Sequence, residues 1–246
     1  MRGVHAGGVS TIFHPFRSRR SRLALLLGLL CVAGAAFVLH PGDPRTRHPV
    51  WGVDVSHHQP PVDWARVRAA GAVFAYAKVS DGRDHVDTRF REHIAGARAA
   101  GLHTGAYHYF TLCSPGREQA EHFIRTLGET PCDLPPVVDL EYAGNCSARP
   151  AREELRRELD AFIAAVGAGA GRRPILYTTK DFAADYGLFE READRIWIRA
   201  VRTRPWFLGT SRWTLWQFRV APLDGVDGPV DHNVFRGTEE ELLGLR

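Results

Sequence analysis

Short apolar runs alternate with amphipathic stretches from about residue 50 onward, and the alternation sets the first expectation for the fold. Five runs of strand length stand out: Trp51 to Ser56, Val73 to Val79, His103 to Phe110, Pro136 to Glu141 and Pro174 to Thr179. Between them the apolar positions recur at helical spacing, predicting helices over Trp64 to Ala70, Thr88 to Ala100, Pro115 to Leu127 and Ala151 to Val166. In the third of these, Ser114 is expected as N-cap with Pro115 at the first helical position. A further helix is expected near Asp181 to Phe189.

After that point the rhythm changes. "RIWIRAV", "WTLWQF" and "PVDHNVF" follow with gaps too short for full crossover helices. Five βα units and then three strands with little helix between them predict an α/β fold, an irregular TIM-like (β/α)5(β)3 barrel over residues 50–246. An open doubly wound sheet satisfies the same periodicity.

The N-terminus obeys a different pattern. An uncharged apolar run of 17 residues, Leu23 to Leu39, follows an arginine cluster within residues 1–22. That length borders on both a signal-peptide core and a short membrane span, and the flanking arginines are expected to stay cytoplasmic. An uncleaved anchor in the inner membrane is expected, with residues 40–49 as a linker and the barrel outside the cytoplasm. "AGAA" (Ala33 to Ala36) offers small residues to a peptidase if the protein is instead cleaved and secreted.

The same segment explains the net charge of +4. Residues 1–40 carry five arginines and no acid, leaving 27 basic and 28 acidic residues in the remainder. The barrel is therefore nearly neutral, and no nucleic-acid partner is expected. Hydrophobic residues at 44% and charged residues at 24% are values for a folded domain with a sizeable core. Export also suits the cysteines. Cys113 and Cys146 each follow a strand, so they leave at one end of the sheet if those strands are parallel neighbours, and a Cys113–Cys146 bridge is expected with Cys132 left over.

Candidate chemistry gathers at strand ends. Asp139 and Glu141, in "LPPVVDLE", stand two apart and so share a face at the C-terminal end of a strand, where barrel sites are built. Burial beside an apolar wall and a second carboxylate raises one acid's pKa, which lets it stay protonated near neutral pH. Asp54 ends the first strand, Tyr107 and Tyr109 the third, Tyr177 the fifth, Trp197 the sixth, Trp216 and Gln217 the seventh, and Asp231 with Asn233 the eighth. Acids and aromatics at one rim are what a sugar site requires.

"GVDVSHHQPPVDW", "FAYAKVSDG", "AGLHTGAYHYF", "LPPVVDLE", "ILYTT" and "WTLWQF" followed by "VDHNVF" resemble, in order and approximate spacing, the glycoside hydrolase family 25 lysozymes, the Chalaropsis-type muramidases. The resemblance spans about Val50 to Phe235. It implies hydrolysis of the β-1,4 bond between N-acetylmuramic acid and N-acetylglucosamine in peptidoglycan, with no metal or organic cofactor, by a protein expected to be a monomer. It places the general acid on Glu141, its partner carboxylate on Asp139, and two further family aspartates on Asp54 and Asp231. Tyr107, Tyr177, Trp216 and Gln217 match rim positions, and Trp197 and Arg199 are expected to join them in binding glycan.

Two departures bear on the substrate. "KVSDG" (Lys78 to Gly82) replaces the family's "KATEG" or "KASEG" with a shorter acid at Asp81, and "WIRAV" places Arg199 where many members carry a small residue. Arg199 is suited to a carboxylate on the substrate or to a rim acid. Two rival readings are a non-catalytic peptidoglycan-binding module of the same fold and a metal-dependent deacetylase using His57, His58, His108 and His232. The second lacks any HxxxH or HExxH spacing.

Overall fold

The computed structural model describes residues 42–201, 203–208 and 212–245. The basic N-terminus (1–22) and the apolar run 23–39 lie outside those residues. From residue 42 the chain already packs onto the barrel: Pro44 is buried in a 3-10 turn capped by Asp43, the Arg45 guanidinium stands 5.0 Å from the Trp51 ring, and His48 meets Trp213 edge-on.

The strands are β1 (Trp51–Val55), β2 (Phe74–Asp81), β3 (His85–Val86), β4 (His103–Tyr109), β5 (Val137–Leu140), β6 (Ile175–Thr179), β7 (Ile196–Arg199), β8 (Leu215–Leu223) and β9 (Val226–Phe235). The helices are α1 (Trp64–Ala69), α2 (Phe90–Ala99), α3 (Gly116–Leu127), α4 (Arg152–Ala170), α5 (Lys180–Tyr186) and α6 (Glu239–Leu243). Strands pair in the order β1-β2-β4-β5-β6-β7-β8-β9, and β9 returns to β1, closing an eight-stranded barrel. The two-residue β3 is an antiparallel addition to β2.

Five βα units and three terminal strands are what the hydrophobic pattern predicts, and closure rules out the open sheet. The pairs from β1–β2 through β7–β8 are parallel, whereas β8–β9 and β9–β1 are antiparallel. The last short gap has a direct cause: β8 and β9 form a hairpin across Asp224 and Gly225, which needs no crossover.

Alternation sorts the side chains into two cores. Outward residues such as Val53, Val138, Leu176 and Ile198 pack beneath the helices, with Phe123, Leu159 and Phe162 above them. Inward residues Phe74, Tyr76, Val137, Ile175, Tyr177, Trp197, Leu215 and Phe235 fill the barrel. Room for the large ones comes from Gly105, where a Cβ would sit 2.1 Å from the Tyr76 ring. The N-terminal end is stopped by α6, whose Thr238–Glu241 capping box starts it and whose Leu242, with Leu245 beyond it, joins the interior cluster.

One helix start differs from expectation. Pro115, not Ser114, is the N-cap of α3, and no side chain caps it. The Glu158 carboxylate on α4 accepts the Gly116 N–H instead at 2.7 Å. Only glycine permits that approach, since a Cβ on Gly116 would lie 1.9 Å from the Glu158 carbonyl oxygen.

Candidate active site

The C-terminal ends of the strands open into a cleft of about 610 Å³, and four carboxylates face it: Asp54 from β1, Asp139 from β5, Glu141 just past β5, and Asp231 from β9. Tyr107, Tyr177 and Trp197 form its floor and wall. Sequence pattern brought these seven together, because each stands on the inner face toward the cleft end of the barrel.

A hydrogen-bonded frame fixes three of the four acids. Trp197 Nε1 donates to Asn233 Oδ1 at 2.9 Å, and Asn233 Nδ2 donates to Asp54 Oδ2 at 2.7 Å. The Tyr177 hydroxyl donates to Gln217 Oε1 at 2.5 Å, and the Gln217 amide donates in turn to Asp231. Glu141 is set through its backbone, where Asn145 Nδ2 donates to the Glu141 carbonyl at 3.0 Å and to that of Phe110 at 2.9 Å. The Cys113–Cys146 disulfide joins the same two loops, as expected from the strand order. Cys132 remains free, with burial pushing its thiol up to about 11.

Asp139 is the exception. It is 8% exposed, and its buried Oδ1 has no hydrogen-bond partner among the described residues. A buried polar atom left bare is costly and marks a position built for something absent from the folded chain alone.

Electrostatics follow from this crowding. Burial raises the Asp139 carboxyl well above its usual range, and the charges of Glu141 and Asp54 push the same way against Lys78. Burial, then Asp231, raises Asp54 likewise. Glu141 is raised by burial, with Arg199 pulling it back, and Asp231 is raised by burial against the Gln217 hydrogen bond and Arg199. Burial and mutual repulsion push each of these groups toward its protonated form.

Trp216 is a correction. It stands next to Gln217 on β8, so its indole points to the opposite face, packs edge-on against Trp213 and Phe218, and donates to the Ala200 carbonyl at 2.9 Å. It belongs to the shell outside the barrel and does not line the cleft. Arg199 lies on the inner face of β7 at the mouth, opposite Thr179 and Gln217.

The candidate metal-binding histidines separate. His108 and His232 turn outward: His108 bridges Ser80 and Gln119, where burial pulls its pKa down to about 3, and His232 meets the Ala221 carbonyl. His57 and His58 stay at the rim with rings 4.0 Å apart, His57 held by Asp87 at 2.9 Å. Among the described residues no group of histidine, cysteine and acid side chains is placed to hold a metal ion.

Sequence reasoning placed Asn233 at its strand end without a role, took His58 only as a candidate metal-binding histidine, and left out Asn145 and Lys78. For two of them the signal was available: Asn233 is two residues from Asp231, and Lys78 two from Tyr76, so each shares the inner face. Lys78 Nζ lies 2.9 Å from Asp81 and 4.9 Å from the centre of the Tyr109 ring.

Coupled buried acids over an aromatic floor suit proton transfer at an acetal, and the class of protein they define is the glycoside hydrolases. The model of the family "Glycosyl hydrolases family 25" matches residues 53–223, and the chain belongs to that family. A family 25 glycosyl hydrolase from Bacillus anthracis superposes with a TM-score of 0.74 at 34% identity, covering 84% of this chain and 96% of that one. The bacterial lysozyme from Streptomyces coelicolor gives 0.71 at 32% identity, covering 80% and 96%. Lysozyme M1 of Streptomyces globisporus is 32% identical over 222 residues, 82% of this chain and 75% of that protein.

Proposed function

We propose that the chain is a muramidase that hydrolyses the β-1,4 bond between N-acetylmuramic acid and N-acetylglucosamine in peptidoglycan, with Glu141 as general acid and Asp139 as its partner. Burial raises the Glu141 carboxyl, which favours the proton that it delivers to the glycosidic oxygen as the bond breaks. The bare Oδ1 of Asp139 carries the reading, because it offers an acceptor with no internal donor. An amide N–H on the sugar's 2-acetamido group meets that need, which aims the acetamido oxygen at the anomeric carbon. Water then completes hydrolysis, giving its proton back to Glu141. Asp54 and Asp231 sustain negative potential beneath the developing positive charge, and Tyr107, Tyr177 and Trp197 shape the floor under the sugar.

The relatives named lysozymes support the substrate, and the arginine-flanked apolar run 23–39 supports a barrel delivered across the inner membrane, anchored there or released after cleavage. A wall-binding module of the same fold would have no use for an acid kept protonated in an open cleft.

The test is digestion of purified peptidoglycan by the full-length protein and by Glu141→Gln, with soluble products read by mass spectrometry. Muropeptides ending in reducing N-acetylmuramic acid are expected from the wild type, with turnover reduced about 10³-fold or more in the variant. Turnover near wild type in Glu141→Gln would remove the acid assignment. Binding with no released product would establish the wall-binding module instead, and products altered only by loss of acetyl groups a deacetylase.

A further inference from the structure

The β6, β7 and β8 register leaves one long cation at the cleft mouth. Tyr177 pairs with Trp197 and Trp197 with Leu215, all facing inward, and two residues on, Thr179 pairs with Arg199 and Arg199 with Gln217. The period of two therefore puts Thr179, Arg199 and Gln217 on the same inner face, one rung nearer solvent. Gln217 is spent downward on Tyr177 and Asp231, and Thr179 is short.

Arg199 is partly buried, yet no hydrogen bond or ion pair joins its side chain to any described residue. Arg191 shows what this chain does with a guanidinium it means to fix: at 15% side-chain exposure it holds Asp160 at 2.7 Å and also Asp194. The acids facing Arg199 are Glu141, Asp231 and Asp54 in the cleft and Asp181 on α5, and each feels its charge. None is a direct partner. Asp181 bonds to the Thr179 hydroxyl and the Phe182 N–H, Asp231 accepts from Gln217, and Asp54 from Asn233.

A second cation directly follows the residue paired with Arg199. Lys180, the first residue of α5, follows Thr179 directly, and its ammonium lies 5.1 Å from the centre of the Phe207 ring with no carboxylate at ion-pair distance among the described residues. The catalytic end of the barrel thus carries an arginine fork and an ammonium that no carboxylate among the described residues pairs with directly.

We propose that Arg199, with Lys180 as its outer neighbour, forms a carboxylate subsite that receives the acidic arm of the muramyl residue. A guanidinium binds a carboxylate through two parallel N–H donors, which fixes the orientation of the arm as well as its charge. The inference rests on the muramidase reading, since the muramyl sugar is the one beside the scissile bond that bears an acid. The carboxylate belongs either to the lactyl group itself or to the peptide attached to it.

Three soluble substrates separate the outcomes: glycan with intact stem peptides, glycan stripped of peptide by an amidase so that the lactyl carboxylate is free, and intact glycan whose carboxylates are converted to amides with carbodiimide and ammonia. For full-length Arg199→Met, KM on intact glycan is expected to rise about tenfold with a smaller change in kcat. Lys180→Met should raise it about two- to threefold, and Arg199→Lys should fall between wild type and Arg199→Met. The wild type should lose a similar factor on amidated glycan, and Arg199→Met should lose nothing more there. A penalty that appears only on stripped glycan assigns the lactyl carboxylate, which is an amide in intact glycan, and one present on intact glycan and lost on stripped glycan assigns the peptide. Equal penalties of Arg199→Met on intact, stripped and amidated glycan, with circular dichroism confirming the fold, would overturn the subsite and leave muramidase chemistry standing. Failure of the wild type to cleave any of the three would overturn both.

Discussion

The two ends of the barrel interior are built from the same strands with the same alternation, and they have opposite chemistry. At the N-terminal end Phe74, Ile175, Leu215 and Phe235 meet Leu242 and Leu245 of the closing segment, an apolar plug. At the C-terminal end Asp54, Asp139, Glu141 and Asp231 meet the cleft, and every one of them is pushed toward its protonated form. A middle rung of Tyr76, Tyr107, Tyr177 and Trp197 separates them. The difference teaches where stability and function are divided: the plug supplies burial that offsets the cost of crowding acids at the mouth.

That division can be broken from either end. At the mouth, Asp139→Asn keeps shape and removes the carboxyl that receives the substrate amide and can take up its proton, so turnover should fall about 10²-fold or more in the digestion assay. A mild loss would leave only the acid assignment to Glu141. At the plug, Leu242→Ala should cost about 2–5 kcal/mol in denaturant unfolding, with the pH profile of turnover unmoved below the melting temperature. A shifted pH profile there would show the two ends coupled. Replacing Cys113 and Cys146 by serine frees two loops cross-linked over 33 residues, and about 2–4 kcal/mol should be lost.

The smallest effect sharpens the comparison most. Each mouth acid is raised in the folded state, so the folded protein holds protons that the unfolded chain releases. The stabilising contribution is present below the unfolded carboxylate values near 4 and is lost as pH rises through the raised folded values. Asp139→Asn should therefore gain stability at neutral pH, by about 1 kcal/mol or more, and that gain should vanish by about pH 4. Equal gains at both pH values would show that charge is not what strains the site.

Strands and the acid quartet were legible because period-two alternation acts locally and acids at the ends of apolar runs are visible without knowing their neighbours, whereas barrel closure could not be told from an open sheet by periodicity. Partners were less so. Asn145, which orients the Glu141 backbone, and the bridge from Trp197 through Asn233 to Asp54 depend on contacts between distant segments that no periodicity encodes. Trp216 shows the converse: "WQ" invites treatment as a unit, although adjacent strand residues face opposite ways. The α3 start hides for a similar reason, since its cap comes from Glu158, 42 positions away. The α6 plug has only five helical residues, too few for a repeating pattern.

The chain contains two lysines, Lys78 and Lys180, and both stand at the catalytic end of the barrel, the first buried and the second exposed. Amine-directed chemistry, whether coupling to a bead or labelling with a fluorescent ester, would find Lys180 and the N-terminal amine and almost nothing else. Protein attached to a support through Lys180 would sit mouth-down, its cleft turned away from any polymer in solution.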